Sequence, residues 1–482
     1  MNRKNRSASG LLIAAICLTV LLAALIVGVT LLHRSGFFDP TEPSTSGTTA
    51  PSTQSTAPTT QSTAPTTQPT TAPTEPTTEP TEPTTAPTEP PIEKVSTATI
   101  SSVGDFLMHL PVINSAAITD GNYDFATVFT YFRDYVGAAD YAVGNLETTL
   151  AGTEYPYKGY PQFNCPDGIV SSAQAAGFDM LLTANNHTYD TRATGFYRTQ
   201  QIIRSFEMDY LGTLDSLEMP LWQIQDINGI RIGMLCYTYE TDDDPDKKAL
   251  NGIPMSSETA ALIGTFSYGQ LETFYEEMQQ QIEAMENAGA EAIMLFIHWG
   301  NEYQIKQNST QSTMAQKLCD LGVDVIVGGH PHVVQPIELL TSTTDESHKT
   351  VCIYSLGNIL SNQRRENMDS CKTGHTEDGA MFSVTFAKYS DGTVILEWAD
   401  VLPTWVDLYY NAETGKNVYA ILPLDTEIED WQAAFGLSDS RLANALASYD
   451  RTMTIVGDGL AQAQAYLAQL TAETEAALGI TN

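Results

Sequence analysis

The chain has 482 residues, 42% of them hydrophobic and 17% charged, with 23 Lys and Arg against 58 Asp and Glu and a net charge of −35. So acidic a chain repels nucleic-acid phosphates, and no nucleic-acid partner is expected of it. The length suffices for two or three domains, but the composition changes abruptly along it.

Residues 1–10, MNRKNRSASG, precede LLIAAICLTVLLAALIVGVTLL, an uncharged and mostly apolar run over residues 11–32. About 20 such residues span a bilayer as a helix. Arg3, Lys4 and Arg6 lie before the run and only Arg34 follows closely, so the positive-inside bias expects residues 1–10 in the cytoplasm. The run exceeds the ~7–15 apolar residues of a secretory signal, and an uncleaved single-pass anchor is preferred to a cleaved leader. The expected location is the cell membrane, with the remainder of the chain extracellular or in the cell wall.

A linker is expected over residues 33–93. Its Pro/Thr tract includes TQSTAPTTQSTAPTTQ and PTEPTTEPTEPTTAPTEPP. It lacks the apolar residues that would offset the entropy of ordering, and its prolines favour extended polyproline II. At about 3.1 Å per residue, the tract over residues 39–93 reaches on the order of 170 Å.

Residues 94–482 carry 19 Lys and Arg against 51 Asp and Glu, a net charge of −32. Five cysteines fall here, Cys165, Cys236, Cys319, Cys352 and Cys371. Their odd number and scattered spacing read as core residues rather than as a disulfide framework. Short β-rich runs ending in polar residues, TATISSVGD, DYAVGNLE, FDMLLTANNH, AEAIMLFIHWG and VDVIVGGHPH, alternate with helical patterns over 167–176, 192–206, 270–288 and 309–321. Such alternation predicts an α/β sheet with ligands at the carboxyl ends of its strands. Asn228-Gly229 and Asp391-Gly392 mark hairpins in a more β-rich second half. A domain is therefore expected over 94–410, followed by a helical C-terminal extension over 411–482, whose Ala-rich helices from about residue 430 are expected to cap the domain.

The polar residues fall where the strands end. Asp105, Asn145 with Glu147, Asn186 with His187, His298, and His330 with His332 occupy five separate strand ends, which a parallel sheet brings to one edge. Carboxylate, amide and imidazole in that mixture suit divalent Mn, Fe or Zn, one ion or two. Taken singly, each piece has a plainer reading: a Gly-Asp turn, an Asn helix cap, a half-buried histidine. Their periodic recurrence is what points to a shared crevice.

GDFLMH, GNLETTL, ANNHTYD, IHWGNEY, GGHPHVVQPIE and YSLGN occur in the order seen in the CapA-like family, and the chain resembles that family from about residue 100 to 358, with a hairpin region to about 406. These are capsule synthesis proteins associated with poly-γ-glutamate. The resemblance implies a metallophosphoesterase (calcineurin-like) fold, a four-layer α/β/β/α sandwich. It implies Asp105, Asn186, His298, His330 and His332 as metal ligands, with Glu147, or alternatively Asn145, as the bridging group. His187 would be a general acid oriented by Asp190. Two positions depart from the phosphoesterase pattern: Leu107 stands where a histidine is usual, with His109 the nearest, and Asn145 replaces an aspartate. In YPYKGYPQFNCP, Lys158 can meet an anionic group, although a solvated lysine is the plainer reading. Expected partners are the membrane, an anionic surface polymer or its precursor, and other capsule-synthesis membrane proteins. Two functions stay open: a metal-dependent hydrolase, or a non-catalytic polymer-binding or export component with a degenerate metal site.

Overall fold

The computed structural model describes residues 91–242, 244 and 247–480. The expected anchor and residues 33–90 of the expected linker lie outside the described residues; within those, no helix is long and apolar enough to cross a membrane.

β1 (Lys94–Phe106), β2 (Tyr141–Asn145), β3 (Met180–Leu182) and β4 (Asp209–Leu211) pair in parallel in that order. β5 (Trp222–Ile227) and β6 (Ile230–Tyr239) form a hairpin over Asn228-Gly229, whose φ values are 54° and 82°. Positive φ at both positions is what a type I′ turn requires. β7 (Ala249–Leu250) and β8 (Ile253–Pro254) make a separate small hairpin, and β9 (Thr265–Phe266) lies beside β6. β10 (Ala292–His298), β11 (Val325–Gly329), β12 (Ile337–Thr341) and β13 (Lys349–Ile353) complete a second sheet of order β12-β13-β11-β10-β6-β5. β14 (Asn358–Leu360) returns to pair with β1. β15 (Asp378–Tyr389), β16 (Val394–Asn411) and β17 (Lys416–Pro423) then extend the first sheet to β17-β16-β15-β1-β2-β3-β4. Both sheets are mixed: the first is antiparallel from β17 to β1 and parallel from β1 to β4, whereas the second has a parallel centre and antiparallel edges.

Side chains alternate between strand faces, and here both faces are buried. Ile100, Val143 and Met180 of the first sheet share one apolar cluster with Met234, Met294 and Val325 of the second. On the first sheet's other face, Ala142 and Leu181 pack with Ile169 and Val170 of α1 (Gly168–Ala176) and Ile203 of α2 (Arg192–Ser205). On the second sheet's other face, Leu295 and Ile326 pack with Met278 and Ile282 of α3 (Leu271–Asn287) and Met314 and Leu318 of α4 (Ser309–Asp320). Burial on both faces is why β10 reads as the unbroken apolar run AIMLFI. The five described cysteines are reduced and buried, as the scattered spacing implied.

The sheet was expected to end by residue 410, with only helices beyond it. Instead, β17 pairs with β16 from Thr404↔Pro423 to Asn411↔Lys416. The long helix α5 (Asp439–Ala477) then lies along β16 and β12, one strand of each sheet. A Cβ at Gly459 would stand 1.9 Å from the Ile337 carbonyl oxygen, so glycine permits this close approach. Arg451 clamps Asp378 through Nε at 2.7 Å and Nη2 at 2.6 Å, Arg441 pairs with Asp407, and Gln464 Nε2 donates to the Ala399 carbonyl at 2.9 Å.

Candidate metal centre

Parallel register places the polar strand ends level with one another. Asp105 pairs with Asn145 across β1 and β2, and His298 pairs with Gly329 across β10 and β11. Glu147 follows two residues after β2, Asn186 and His187 follow β3, and His330 and His332 follow β11. The centre therefore takes residues from both sheets.

Asp105 and Glu147 are both fully buried, yet only one of them is satisfied. Asp105 Oδ1 accepts from Asn145 Nδ2 at 2.8 Å, and Oδ2 lies 3.1 Å from His332 Nδ1. Neither carboxylate oxygen of Glu147 has a hydrogen-bond partner. Its Oε1 instead faces three imidazoles, 3.5 Å from His298 Nε2, 3.9 Å from His332 Nε2 and 4.0 Å from His187 Nε2. Leaving a carboxylate buried without donors costs several kcal/mol unless a cation compensates it. Two groups that can hold a metal ion share this residue: Asp105, Glu147 and His298, and Glu147, His330 and His332, with ligand atoms within 4.8 Å of one another in each. His330 Nδ1 is also buried without a partner. Imidazole and carboxylate in this mixture fit a divalent transition ion.

The loop that delivers the last two histidines is strained. His330 and His332 have φ of 94° and 55°, a region that costs a non-glycine residue about 1–3 kcal/mol and is found at functional sites. The surrounding structure holds it: Tyr303 N donates to the Pro331 carbonyl at 2.8 Å, and Trp299 N to the Gly329 carbonyl at 3.1 Å.

The two imidazoles titrate in opposite directions. Burial lowers both, but the Glu147 and Asp105 carboxylates outweigh it at His332 and raise that ring to about 9. His330 faces His298, His332 and His187, so burial and like charge together push it well below the usual range. Burial tends to raise the Asp105 carboxyl, whereas the hydrogen bond with His332 and the imidazole charges hold it below its ordinary value.

His187 stands against this cluster on a fixed support. Its Nδ1 lies 2.7 Å from Asp190 Oδ2, which also accepts from Phe163 N at 2.6 Å. The Phe163 ring meets the imidazole edge-to-face at 4.6 Å. Nε2 is left pointing toward Glu147. Asn186 joins the cluster through Oδ1, 2.9 Å from His298 Nε2.

Asp105, Glu147, Asn186, His187, Asp190, His298, His330 and His332 are thus brought together as one group. Three other candidates take different places. Asn145 uses Nδ2 on Asp105, and its Oδ1 accepts from Asn185 Nδ2 at 3.1 Å, so it braces Asp105. His109 sits one ring further out, edge-to-face on Phe163 at 5.4 Å, with Nδ1 3.2 Å from the Leu107 carbonyl. Burial and the neighbouring His332 push it down to about 4. Lys158 donates to Gln162 Oε1 at 3.2 Å, within its own loop.

Sequence reasoning assigned no role to Asn185, Asn358 or Tyr239. Asn358 Oδ1 lies 3.1 Å from His332 Nδ1, and the Tyr239 hydroxyl lies 3.3 Å from His330 Nε2. Asn185 and Asn358 stand inside the quoted motifs ANNHTYD and YSLGN, where position in the motif was the available signal. Tyr239 ends β6, a strand end without a quoted motif.

The sequence profile of a family described as "Bacterial capsule synthesis protein PGA_cap" matches residues 99–363. The chain is 27% identical over 316 residues to the capsule biosynthesis protein CapA of Bacillus anthracis, covering 63% of this chain and 66% of that one. It is 28% identical over 245 residues to the PGA biosynthesis protein CapA of Bacillus subtilis strain 168, covering 49% and 57%. The similarity thus spans somewhat less than two thirds of either relative.

Proposed function

The chain belongs to the PGA_cap family of bacterial capsule synthesis proteins, and we propose that it acts in surface-polymer synthesis through a metal-dependent, phosphoesterase-type hydrolytic site. On this reading the two sheets and their flanking helices are a metallophosphoesterase-like four-layer sandwich. The domain is held outside the cell by the apolar run at 11–32 and the linker that follows. The polymer is of the poly-γ-glutamate class or a precursor of it, as the name of the Bacillus subtilis relative suggests, and other capsule-synthesis membrane proteins would be neighbours.

The observation that carries the proposal is the Glu147 carboxylate, buried without a donor and shared by two sets of ligands. Asp105 and His298 would hold one ion with it, and His330 and His332 a second; Asn186 would add an amide oxygen beside His298. When bound, such ions lower the pKa of water and offset charge developing on a phosphoryl or carbonyl oxygen. The other steps fall to the protein. Asp190 holds Nδ1 of His187 and fixes the ring, so Nε2 is the nitrogen left to hand a proton to a leaving oxygen. Phe163 packs on the same ring and keeps it from turning. Because a domain of charge −32 repels a polyanion, an anionic chain would have to approach through the bound cations.

One observation favours the second reading, a non-catalytic polymer-binding or export component. Asn145 is neutral where the phosphoesterase pattern has an aspartate, so the cluster has one anionic ligand fewer. The two readings separate on the purified full-length protein supplied with Mn. The hydrolytic reading expects cleavage of bis(p-nitrophenyl) phosphate, abolished by His187→Ala. No turnover on any phosphoester, together with metal-dependent retention of poly-γ-glutamate, would reject hydrolysis and support the binding role.

A further inference from the structure

The β7–β8 hairpin stands apart from both large sheets, yet its tip reaches the His187–Asp190 pair. Leu250 and Ile253, on either side of the tip, are buried in the cluster between the sheets and anchor it. Asn251 and Gly252 have φ of 48° and 67°, the left-handed pair of a two-residue turn. Gly252 N donates to Thr241 Oγ1 at 2.9 Å, tying the turn to the end of β6.

A turn of this kind accounts for Asn at this position but not for where its side chain goes. Asn251 Nδ2 donates to Asp190 Oδ1 at 2.9 Å and to the Pro161 carbonyl at 2.8 Å. Both partners are acceptors, which sets the orientation of the amide, and the same nitrogen lies 3.3 Å from His187 Nδ1. Asp190, with a fully buried side chain, is therefore gripped at both oxygens: Oδ2 by His187 Nδ1 and Phe163 N, and Oδ1 by Asn251. Pro161 lies two residues before Phe163, so one amide ties the carboxylate to the loop that packs on the imidazole.

We propose that Asn251 is a positioning residue, which fixes Asp190 and through it the direction of His187 Nε2. The inference rests on the hydrolytic reading for its consequence in catalysis, though not for its geometry. Anchoring the support of a reactive ring from a separate hairpin restricts the carboxylate to one rotamer, and loss of such an indirect partner typically costs about 10- to 100-fold in activity or affinity at metal sites.

The test uses Asn251→Gly and Asn251→Asp in the full-length protein. Both residues tolerate the left-handed conformation, so the turn is preserved, but neither can donate to Asp190. With Mn and bis(p-nitrophenyl) phosphate, both variants are expected to lose about 10-fold or more in kcat, with KM and bound metal unchanged. In selectively 15N-histidine-labelled protein, the Nδ1–H resonance of His187, assigned with His187→Gln, is expected to be protected in the wild type and lost to exchange in both variants. Wild-type kcat and a protected resonance in both variants would overturn the proposal and leave Asn251 a turn residue. Absence of a protected resonance in the wild type would overturn it as well. If the wild type turns over no phosphodiester, the hydrolytic reading fails; the resonance then decides the positioning role by itself.

Discussion

Metal binding and folding stability should respond to pH in opposite directions, because one imidazole governs both. His332 lies between the Asp105 and Glu147 carboxylates, with Nδ1 3.1 Å from one and Nε2 3.9 Å from the other, and is raised to about 9 from an ordinary value of 6.5. A folded-state pKa above the unfolded one gives stability that is complete below pH 6.5 and lost as pH rises through about 9. At about 1.36 kcal/mol per unit, the metal-free protein should lose roughly 3 kcal/mol across that window. A metal ion in the Glu147, His330 and His332 group must displace the same proton. Affinity should therefore rise close to 10-fold per pH unit below 9, about 50-fold between pH 7 and 9, with nearly one proton released at pH 7. Calorimetric titration of Mn into the full-length protein, in buffers of different ionisation enthalpy, measures the proton. Urea unfolding of the chelator-treated protein at pH 6.5 and 9.5 measures the stability. Metal affinity flat across this window, with no proton released, would refute the placement of His332 in the metal group.

Asn145→Asp should destabilise the metal-free protein by about 1–3 kcal/mol, since it replaces the donor to Asp105 with a second carboxylate. Added Mn should then raise the melting temperature of this variant more than that of the wild type, as differential scanning calorimetry would show. Arg451→Ala should cost about 3–5 kcal/mol in urea unfolding, because it strands the buried Asp378 carboxylate, and hydrogen exchange should report a loosened α5. Gly104→Ala would place a Cβ 1.8 Å from the Gly357 carbonyl oxygen, where β14 meets β1 beside Asp105. It should cost about 3 kcal/mol and weaken Mn binding in the same titration.

Much of the centre was legible because its residues punctuate apolar runs. Strands buried on both faces read as continuous hydrophobic stretches, so the polar residue that ends each one stands out. The four helical patterns at 167–176, 192–206, 270–288 and 309–321 each correspond to an observed helix within a residue or so at either end. What stayed hidden is pairing across long separations. His332 reaches Asp105 over 227 positions, and no local pattern says that Asn145 spends its amide on that carboxylate instead of on an ion. Leu107, where a histidine was missed, is buried, and its amide donates to the Leu360 carbonyl at 2.9 Å, so this position serves the β1–β14 junction. The Asn251 contact was illegible for a related reason: Asn-Gly announces a turn, while the direction of its side chain depends on a hairpin docking 61 residues from Asp190. The Ala-rich C-terminal helices were expected to cap the domain, but which strands α5 lies along was not legible, because no local pattern singles out a partner strand. Two arginines and one glycine specify where it rests.

The central claim is that Glu147 is buried without donors because it serves a metal centre. Its most direct test is the metal content of the full-length protein after loading with Mn and removal of excess, measured by plasma mass spectrometry beside Glu147→Gln and His332→Ala. One or two equivalents are expected to stay with the wild type, with a clear loss in both variants. Wild-type protein without stoichiometric metal, or variants that retain as much as the wild type, would contradict it.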